Sequence, residues 1–369
     1  MKITGYRTLQ TRHDWGRPVG DANGFIASGV TEVPLVVLET DEGIEGIGMG
    51  SHHDLDRIFP ALEGQDPRSV SSLYDAMLAR VFKTGHAGAT FGGIGAFDMA
   101  LWDLKAKAAG EPLWRLLGGA DRFVTGYASG LDIALDDDEL AAFYTRMADR
   151  GFTGGKLKGG RDAEADVRRL RILADVLGAN TPRPALMLDA NESWNLKQAV
   201  RYVTEVERAV DLTWIEEPLR RWDAAGHARL SSSVRAAVAT GENLTGLEQF
   251  RPLFDAHALD IAQAGAVWGI THFLRVALVA HSRDLPVSPV GVSIDESLIS
   301  ESRQTDSWAA PEGPHVRSQR TGLQLVAEST RAAIRPPTCF RRRAAGRCAG
   351  SARADPRALP TSRSAGSRR

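Results

Sequence analysis

Cysteine is almost missing from this chain. Cys339 and Cys348 are the only two, so the first 338 residues hold neither a disulfide framework nor a thiolate metal site. No run of 18 or more apolar residues occurs, which excludes an ordinary membrane-spanning helix. The opening Met1-Lys2-Ile3-Thr4-Gly5-Tyr6-Arg7 has no apolar stretch of the signal-peptide kind. Net charge is only −1, so nothing draws the whole chain to nucleic acid or anionic lipid. No Gly-x-Gly-x-x-Gly follows an early strand, which removes the dinucleotide fingerprint. Together these absences set the expectation of a soluble cytoplasmic protein with a small-molecule partner, no nucleic acid and no membrane.

What is present is organised in three stretches. Residues 1–120 read as a mixed α+β domain. Val33 to Glu39 is rich in branched residues, Asp41-Glu42-Gly43 makes a turn, and Ile44 to Met49 returns as a second strand. Phe97, Leu101 and Leu104 share one face of a helix over Phe97 to Ala108, which stops at Ala109-Gly110. Residues 121–302 alternate short apolar strands with amphipathic helices. The strands are expected at 123–129, 155–158, 185–189, 212–216, 237–242, 258–263 and 285–288, with helices such as 138–150, 163–177, 196–208 and 271–282. Seven consecutive βα steps favour a closed parallel barrel over an open sheet, so the expected class is α/β.

Residues 303–369 differ from both. They contain 14 Arg, no Lys and four acids, and the last lysine of the chain is Lys197. Only Trp308 and Phe340 stand among the arginines, not the regular interleaving that nucleic-acid binding would ask, and a disordered extension is a further reading. The preferred reading is GC-rich DNA translated out of frame. It implies a product without its last barrel strand, and the gene's nucleotide sequence tests it.

The chemistry sits at the C-terminal ends of successive strands: Lys156-Leu157-Lys158, Asp189-Ala190-Asn191, Glu216-Glu217-Pro218 and Gly241-Glu242-Asn243. The steps from Lys158 to Asp189, Glu216 and Glu242 are 31, 27 and 26 residues, about one βα repeat each. In an α/β barrel this is the active-site face. Asp189, Glu216 and Glu242 converging there would repel unless a cation neutralised them, and oxygen-only ligands favour Mg²⁺. Lys156 and Lys158, two apart on a strand, share a face. Beside a metal their mutual repulsion is expected to lower a lysine pKa and make a general base. A metal-bound carboxylate has its α-proton acidified and its enediolate stabilised.

With those residues in place, the chain resembles the mandelate racemase and muconate lactonizing enzymes of the enolase superfamily. The marks are Ile94 to Leu104 (IGAFDMALWDL), Pro112 to Gly119 (PLWRLLGG), and the Lys-x-Lys, Asp-x-Asn, Glu-Glu-Pro and Gly-Glu-Asn elements in family order. The resemblance covers about residues 1–290. It implies a (β/α)₇β TIM-like barrel with an N-terminal α+β capping domain, Mg²⁺, a carboxylate substrate and a homo-oligomer. Loops near 11–26 and 48–56 would cover the substrate, which makes His13, Trp15, Arg17, His52 and His53 specificity candidates beside the reading of neutral surface residues.

Racemase-type members carry a second base, a His on the seventh strand paired with an Asp on the sixth. The matching stretches, Gln263 to Gly269 and Ser288 to Gly291, supply neither. Lactonizing members use a lysine on the far face, and none exists past Lys197. The resemblance therefore implies one-base chemistry: Lys158 takes the α-proton of a sugar acid and β-hydroxide leaves, giving a 2-keto-3-deoxy acid. A racemase or epimerase and a damaged, inactive barrel are the alternatives. Asp295 and Glu296 are candidates for protonating the leaving group. Glu217 is read as supporting the ligands. Asn191 and Asn243 read equally as helix caps or substrate contacts, Trp268 as packing, and His281 as non-catalytic.

Overall fold

The computed structural model describes residues 1–120 and 125–290. The Arg-rich stretch, Asp295 and Glu296 lie outside the described residues. Among the described residues, no helix is long and apolar enough to cross a membrane.

The first element is a long edge strand, β1 (Ile3–Asp14). A small hairpin follows, β2 (Val19–Asp21) and β3 (Gly24–Ile26), then β4 (Val30–Thr40) and β5 (Gly46–Met49). β4 is central, pairing antiparallel with β1 on one side and β5 on the other. Helices α1 (Leu55–Ile58), α2 (Val70–Val81), α3 (Ala89–Ala109) and α4 (Leu113–Leu116) complete the cap.

α3 is buried on almost all sides, so it shows little amphipathic pattern. It lies on β5 because glycine lets the two backbones touch. A Cβ at Gly48 would come within 1.8 Å of the Ala96 carbonyl oxygen, so no side chain fits there.

The second region alternates β6 (Ala128–Ser129), α5 (Asp137–Asp149), β7 (Gly154–Lys158), α6 (Ala163–Leu177), β8 (Ala185–Asp189), α7 (Leu196–Glu207) and β9 (Trp214–Glu216). It continues with α8 (Ala224–Ser233), β10 (Ala237–Thr240), α9 (Leu247–Asp255), β11 (Ile261–Gly265), α10 (Ile270–His281) and β12 (Val287–Val290). The seven strands form one parallel sheet in sequential order. Among the described residues the sheet has these seven strands, and the expected eighth is not among them.

Helix starts follow local chemistry. Asp136 and Glu139 make a reciprocal capping box on α5, Asn195 and Gln198 do the same on α7, and Asp162 caps α6.

The sheet curls. Tyr127, just before β6, meets Trp214 of β9 edge-to-face at 5.2 Å, although two strands lie between them. Met187, Trp214 and Ala239 fill the concave side, while Leu157, Leu188, Ile215 and Val238 pack outward against the helices. This alternation points Lys156, Lys158, Asp189 and Glu216 inward.

The cap is bolted to the sheet through α3 and α10. Buried Asp98 accepts from the Thr271 backbone N–H at 2.8 Å and its hydroxyl at 2.5 Å, and Trp102 donates its indole N–H to the same hydroxyl at 2.9 Å. Burial pushes Asp98 up to about 7, against the pull of the Thr271 hydrogen bonds.

Candidate active site

β7, β8 and β9 place their last inward residues side by side, with Lys158 registered on Asp189 and Asp189 on Glu216. All of these groups are buried. Lys158 Nζ lies 2.5 Å from Asp189 Oδ2 and 3.2 Å from Asn191 Oδ1. Lys156 donates to Glu216 and stands 3.3 Å from Asp189. Glu242, just past β10, is close enough to bear on the charge of both lysines and of Glu216. Asn243 donates to Glu217 Oε1 at 2.8 Å and to Glu242 Oε1 at 3.3 Å. Neither Asn191 nor Asn243 caps a helix, because Asn195 and Gly246 stand at those positions for α7 and α9.

The electrostatics show an excess of acid. Asp189, Glu216, Glu217 and Glu242 are four carboxyls against two ammonium groups, an excess of two negative charges if all are ionised. Burial alone would lower the pKa of Lys156, but Glu216, Tyr127, Asp189 and Glu242 outweigh it and raise it well above the ordinary value. Lys158 is raised as well, by Asp189, Glu242 and Glu216 against burial and Lys156. This reverses the lowering expected from the sequence, because the acids dominate the field. Asp189 is buried, yet Lys158 and Lys156 hold it below the usual carboxylate range. Burial lifts Glu216 to about 7, with Lys156 pulling against it. Burial, Glu242 and Asp189 lift Glu217 to about 10, so Glu217 holds a proton that offsets part of the cluster's negative excess.

Among the described residues, no three His, Cys, Asp or Glu side chains are grouped to hold a metal. The Lys156 ammonium group bridges Asp189 and Glu216, and Lys158 pairs with Asp189. The donor chemistry still fits a hard dication: the ligating atoms would all be carboxylate oxygens, and they outnumber the ammonium groups beside them.

Three further features were not legible in the motifs. Trp214 donates its indole N–H to Glu216 Oε2 at 3.0 Å, fixing that carboxylate from two residues back on the same face. Asp132, Tyr144 and Arg169 grip the lysine strand from outside. Asp132 accepts from the Lys158 N–H at 2.9 Å, the Tyr144 hydroxyl donates to the Lys156 carbonyl at 2.7 Å and to Asp132 at 2.8 Å, and Arg169 donates to the Asp132 carbonyl at 2.6 Å. The backbone at the mouth is strained: Asn191 (φ 46°), Glu192 (φ 59°) and Glu217 (φ 42°) all occupy the left-handed region.

The β2–β3 hairpin lies against this mouth. Arg161 donates to the carbonyls of Asp21 at 2.9 Å and Ala22 at 3.1 Å, with its guanidinium 4.6 Å from the Phe25 ring centre. Asn23 donates to the Asn191 carbonyl at 2.6 Å.

Of the cap candidates, Arg17 reaches the barrel side, donating to the Leu131 carbonyl at 2.8 Å. His13 and Trp15 meet edge-to-face, and Trp15 donates to Thr31. His52 contacts the Leu35 carbonyl, and the His53 backbone N–H donates to Ser51. Trp268 is more than filler: its indole N–H donates to the Glu242 carbonyl at 2.5 Å. His281 ends α10 with an exposed side chain.

A curled parallel sheet with inward lysines facing carboxylates, under an α+β cap, defines a class of enolate-forming barrels. The chain belongs to the mandelate racemase/muconate lactonizing enzyme family of the enolase superfamily. Residues 26–118 match the mandelate racemase / muconate lactonizing enzyme N-terminal domain, and residues 139–307 match the enolase C-terminal domain-like family. It is 34% identical over 287 residues to the L-talarate/galactarate dehydratase of Salmonella typhimurium, covering 73% of this chain and 71% of that protein. It is 35% identical over 234 residues to a 3,6-anhydro-alpha-L-galactonate cycloisomerase of Streptomyces coelicolor, covering 63% of this chain and 64% of that one. The crystal structure of L-talarate dehydratase from Polaromonas sp. JS666, complexed with Mg and L-glucarate, superposes with a TM-score of 0.69 at 32% identity, covering 78% of this chain and 81% of that chain.

Proposed function

We propose that this protein is a Mg²⁺-dependent hydro-lyase that dehydrates a sugar acid to a 2-keto-3-deoxy acid. Asp189, Glu216 and Glu242 are the residues that would hold the ion, with Asn191, Glu217 and Asn243 around them. A Mg²⁺ there would cancel the negative field that keeps both lysines protonated and would stabilise the charge that builds on a substrate carboxylate as its α-proton leaves.

The observation that carries the reading is the placement of Lys158. Its Nζ is 2.5 Å from Asp189, on the concave face of the sheet, with its backbone clamped by Asp132. As the neutral amine it takes the proton from C2. The electron pair of that C–H bond forms the C2–C3 double bond, the C3–O bond breaks with its pair, and the oxygen leaves as water after gaining one proton. The enol product then tautomerises to the ketone. Lys156, donating to Glu216, keeps a second positive charge beside the reacting carboxylate. The relatives that are dehydratases support elimination as the outcome.

The test is NMR in D₂O with Mg²⁺ and a panel of hexonate, pentonate and aldarate salts, galactarate and L-glucarate included. A 2-keto-3-deoxy product that disappears in Lys158→Ala supports the assignment. Deuterium entering C2 without elimination overturns the dehydratase in favour of an epimerase. A ring-opened or cyclised isomer overturns it in favour of a cycloisomerase.

A further inference from the structure

The wall of the sheet opposite the lysines carries almost no chemistry. Ile261 packs in the concave interior, so alternation along β11 turns Gln263 and Gly265 inward with it. Parallel register places Ser288 beside Gln263 and Val290 beside Gly265 on β12. These five residues include no acid and no base. Gly265 admits no side chain: a Cβ there would lie 2.5 Å from the Glu242 carbonyl oxygen and 2.8 Å from the Trp268 indole. The Ser288 hydroxyl is engaged with Tyr127.

Gln263 stands apart from its neighbours. It is fully buried, and both its amide nitrogen and its amide oxygen lack a hydrogen-bond partner among the described residues. A buried amide with neither end satisfied is costly, and it is the kind of group that calls for a partner. The amide faces the concave interior beside the site, and the backbone of β11 is packed directly on the Glu242 strand end. A Cβ at Gly241 would lie 2.4 Å from the Gln263 carbonyl oxygen.

The chemistry of that partner follows from the amide. It offers two donors and an acceptor and carries no charge. A carboxylate would leave the acceptor unused, and an ammonium group would leave the donors unused. A hydroxyl both donates and accepts, and neighbouring hydroxyls on a carbon chain match both ends of an amide at once. We infer that Gln263 is a substrate-contacting residue that reads the hydroxyls of a polyhydroxy acid from the uncharged wall. This rests on the reading of the chain as a sugar-acid enzyme and extends it to what selects the substrate.

The test is calorimetry with two probes of equal length and charge. Galactarate is a six-carbon diacid with four hydroxyls, and adipate is the same diacid with none. Both are titrated, with saturating Mg²⁺, into Lys158→Ala, where galactarate is not turned over, and into Lys158→Ala/Gln263→Leu. Leucine keeps about the volume and removes two unsatisfied polar atoms, so the second protein is expected to fold with an equal or higher Tm. Lys158→Ala should bind galactarate roughly tenfold or more tightly than adipate, and the added substitution should erase most of that preference while leaving adipate binding unchanged.

Three results overturn the inference: no preference for galactarate in Lys158→Ala, a preference that survives Gln263→Leu, or an equal loss of both acids together with a lower Tm, which marks Gln263 as structural. Failure of the hydro-lyase reading shows separately, as absent product in the wild-type NMR screen, because the calorimetry needs no turnover.

Discussion

The two walls of the barrel mouth are built from the same parallel sheet and differ in almost everything else. The β7–β10 wall carries two lysines and four acidic groups, each held by a neighbour. The β11–β12 wall carries an amide, a hydroxyl and a glycine. Fold alone therefore does not set the chemistry. The sheet supplies inward positions at fixed spacing, and the residues on one half turn them into a proton-transfer surface while those on the other half keep the space neutral. A proton arriving or leaving from one side only is the natural outcome of such a division.

The sharpest way to break the comparison is to disarm the charged wall. Lys158→Ala should slow C2 proton exchange by about 10³-fold, read by NMR in D₂O, with Mg²⁺ affinity retained. If the exchange survives, the base is elsewhere.

A smaller effect is expected from the support behind the acids. Trp214→Phe keeps the ring but removes the donor to Glu216, and should weaken Mg²⁺ binding about tenfold by calorimetry. Stripping the metal with a chelator should abolish exchange, and added Mg²⁺ should restore it.

Charging the neutral wall sharpens the contrast from the other side. Gly265→Asp puts an acid where a second base would need its partner. Instead of gaining racemase activity it should lose about 1–3 kcal/mol of stability by denaturant melting, since its side chain meets Trp268 and the Glu242 carbonyl.

Asp98, on neither wall, gives the control. Its folded pKa of about 7 lies above the ordinary 3.8, so the folded state holds a proton that the unfolded chain releases. Stability from this group is present at low pH and is lost as pH rises from about 4 to 7, by roughly 4 kcal/mol at most. Asp98→Asn should flatten that slope in melts across the range while leaving the pH dependence of exchange unchanged.

Much of the barrel was legible because its rules are local. The strand over 185–189 and the helix over 163–177 coincide with β8 and α6, since a short apolar run ending in Asp and an Asp cap before an amphipathic stretch leave little choice. β1 was missed. It is an edge strand, exposed along most of its length, so its sequence has no alternation to read. α3 starts at Ala89, well before the expected Phe97, because Gly92, Gly93 and Gly95 hide a helix that only packing against other backbones explains.

In the site, residue types and spacing pointed to the acids and lysines, but not to what holds them. The clamp of Asp132, Tyr144 and Arg169 joins residues from different βα units, and no motif spacing records such a meeting. The direction of the lysine pKa shift also depended on counting the acids that packing brings within reach.

The Arg161 clasp has a consequence for how this protein could change its diet. Arg161 grips the hairpin by the main-chain oxygens of Asp21 and Ala22, and Asn23 takes hold of Asn191 through that residue's carbonyl. The grip at residues 21 and 22 asks nothing of their side chains. Asp21 also holds the Asn23 backbone N–H through its Oδ1 at 2.7 Å, so it is Ala22 that is free to be rewritten, by drift or by an engineer, while the loop stays seated over the mouth. New molecules could be admitted or turned away without reopening the question of how the loop is anchored.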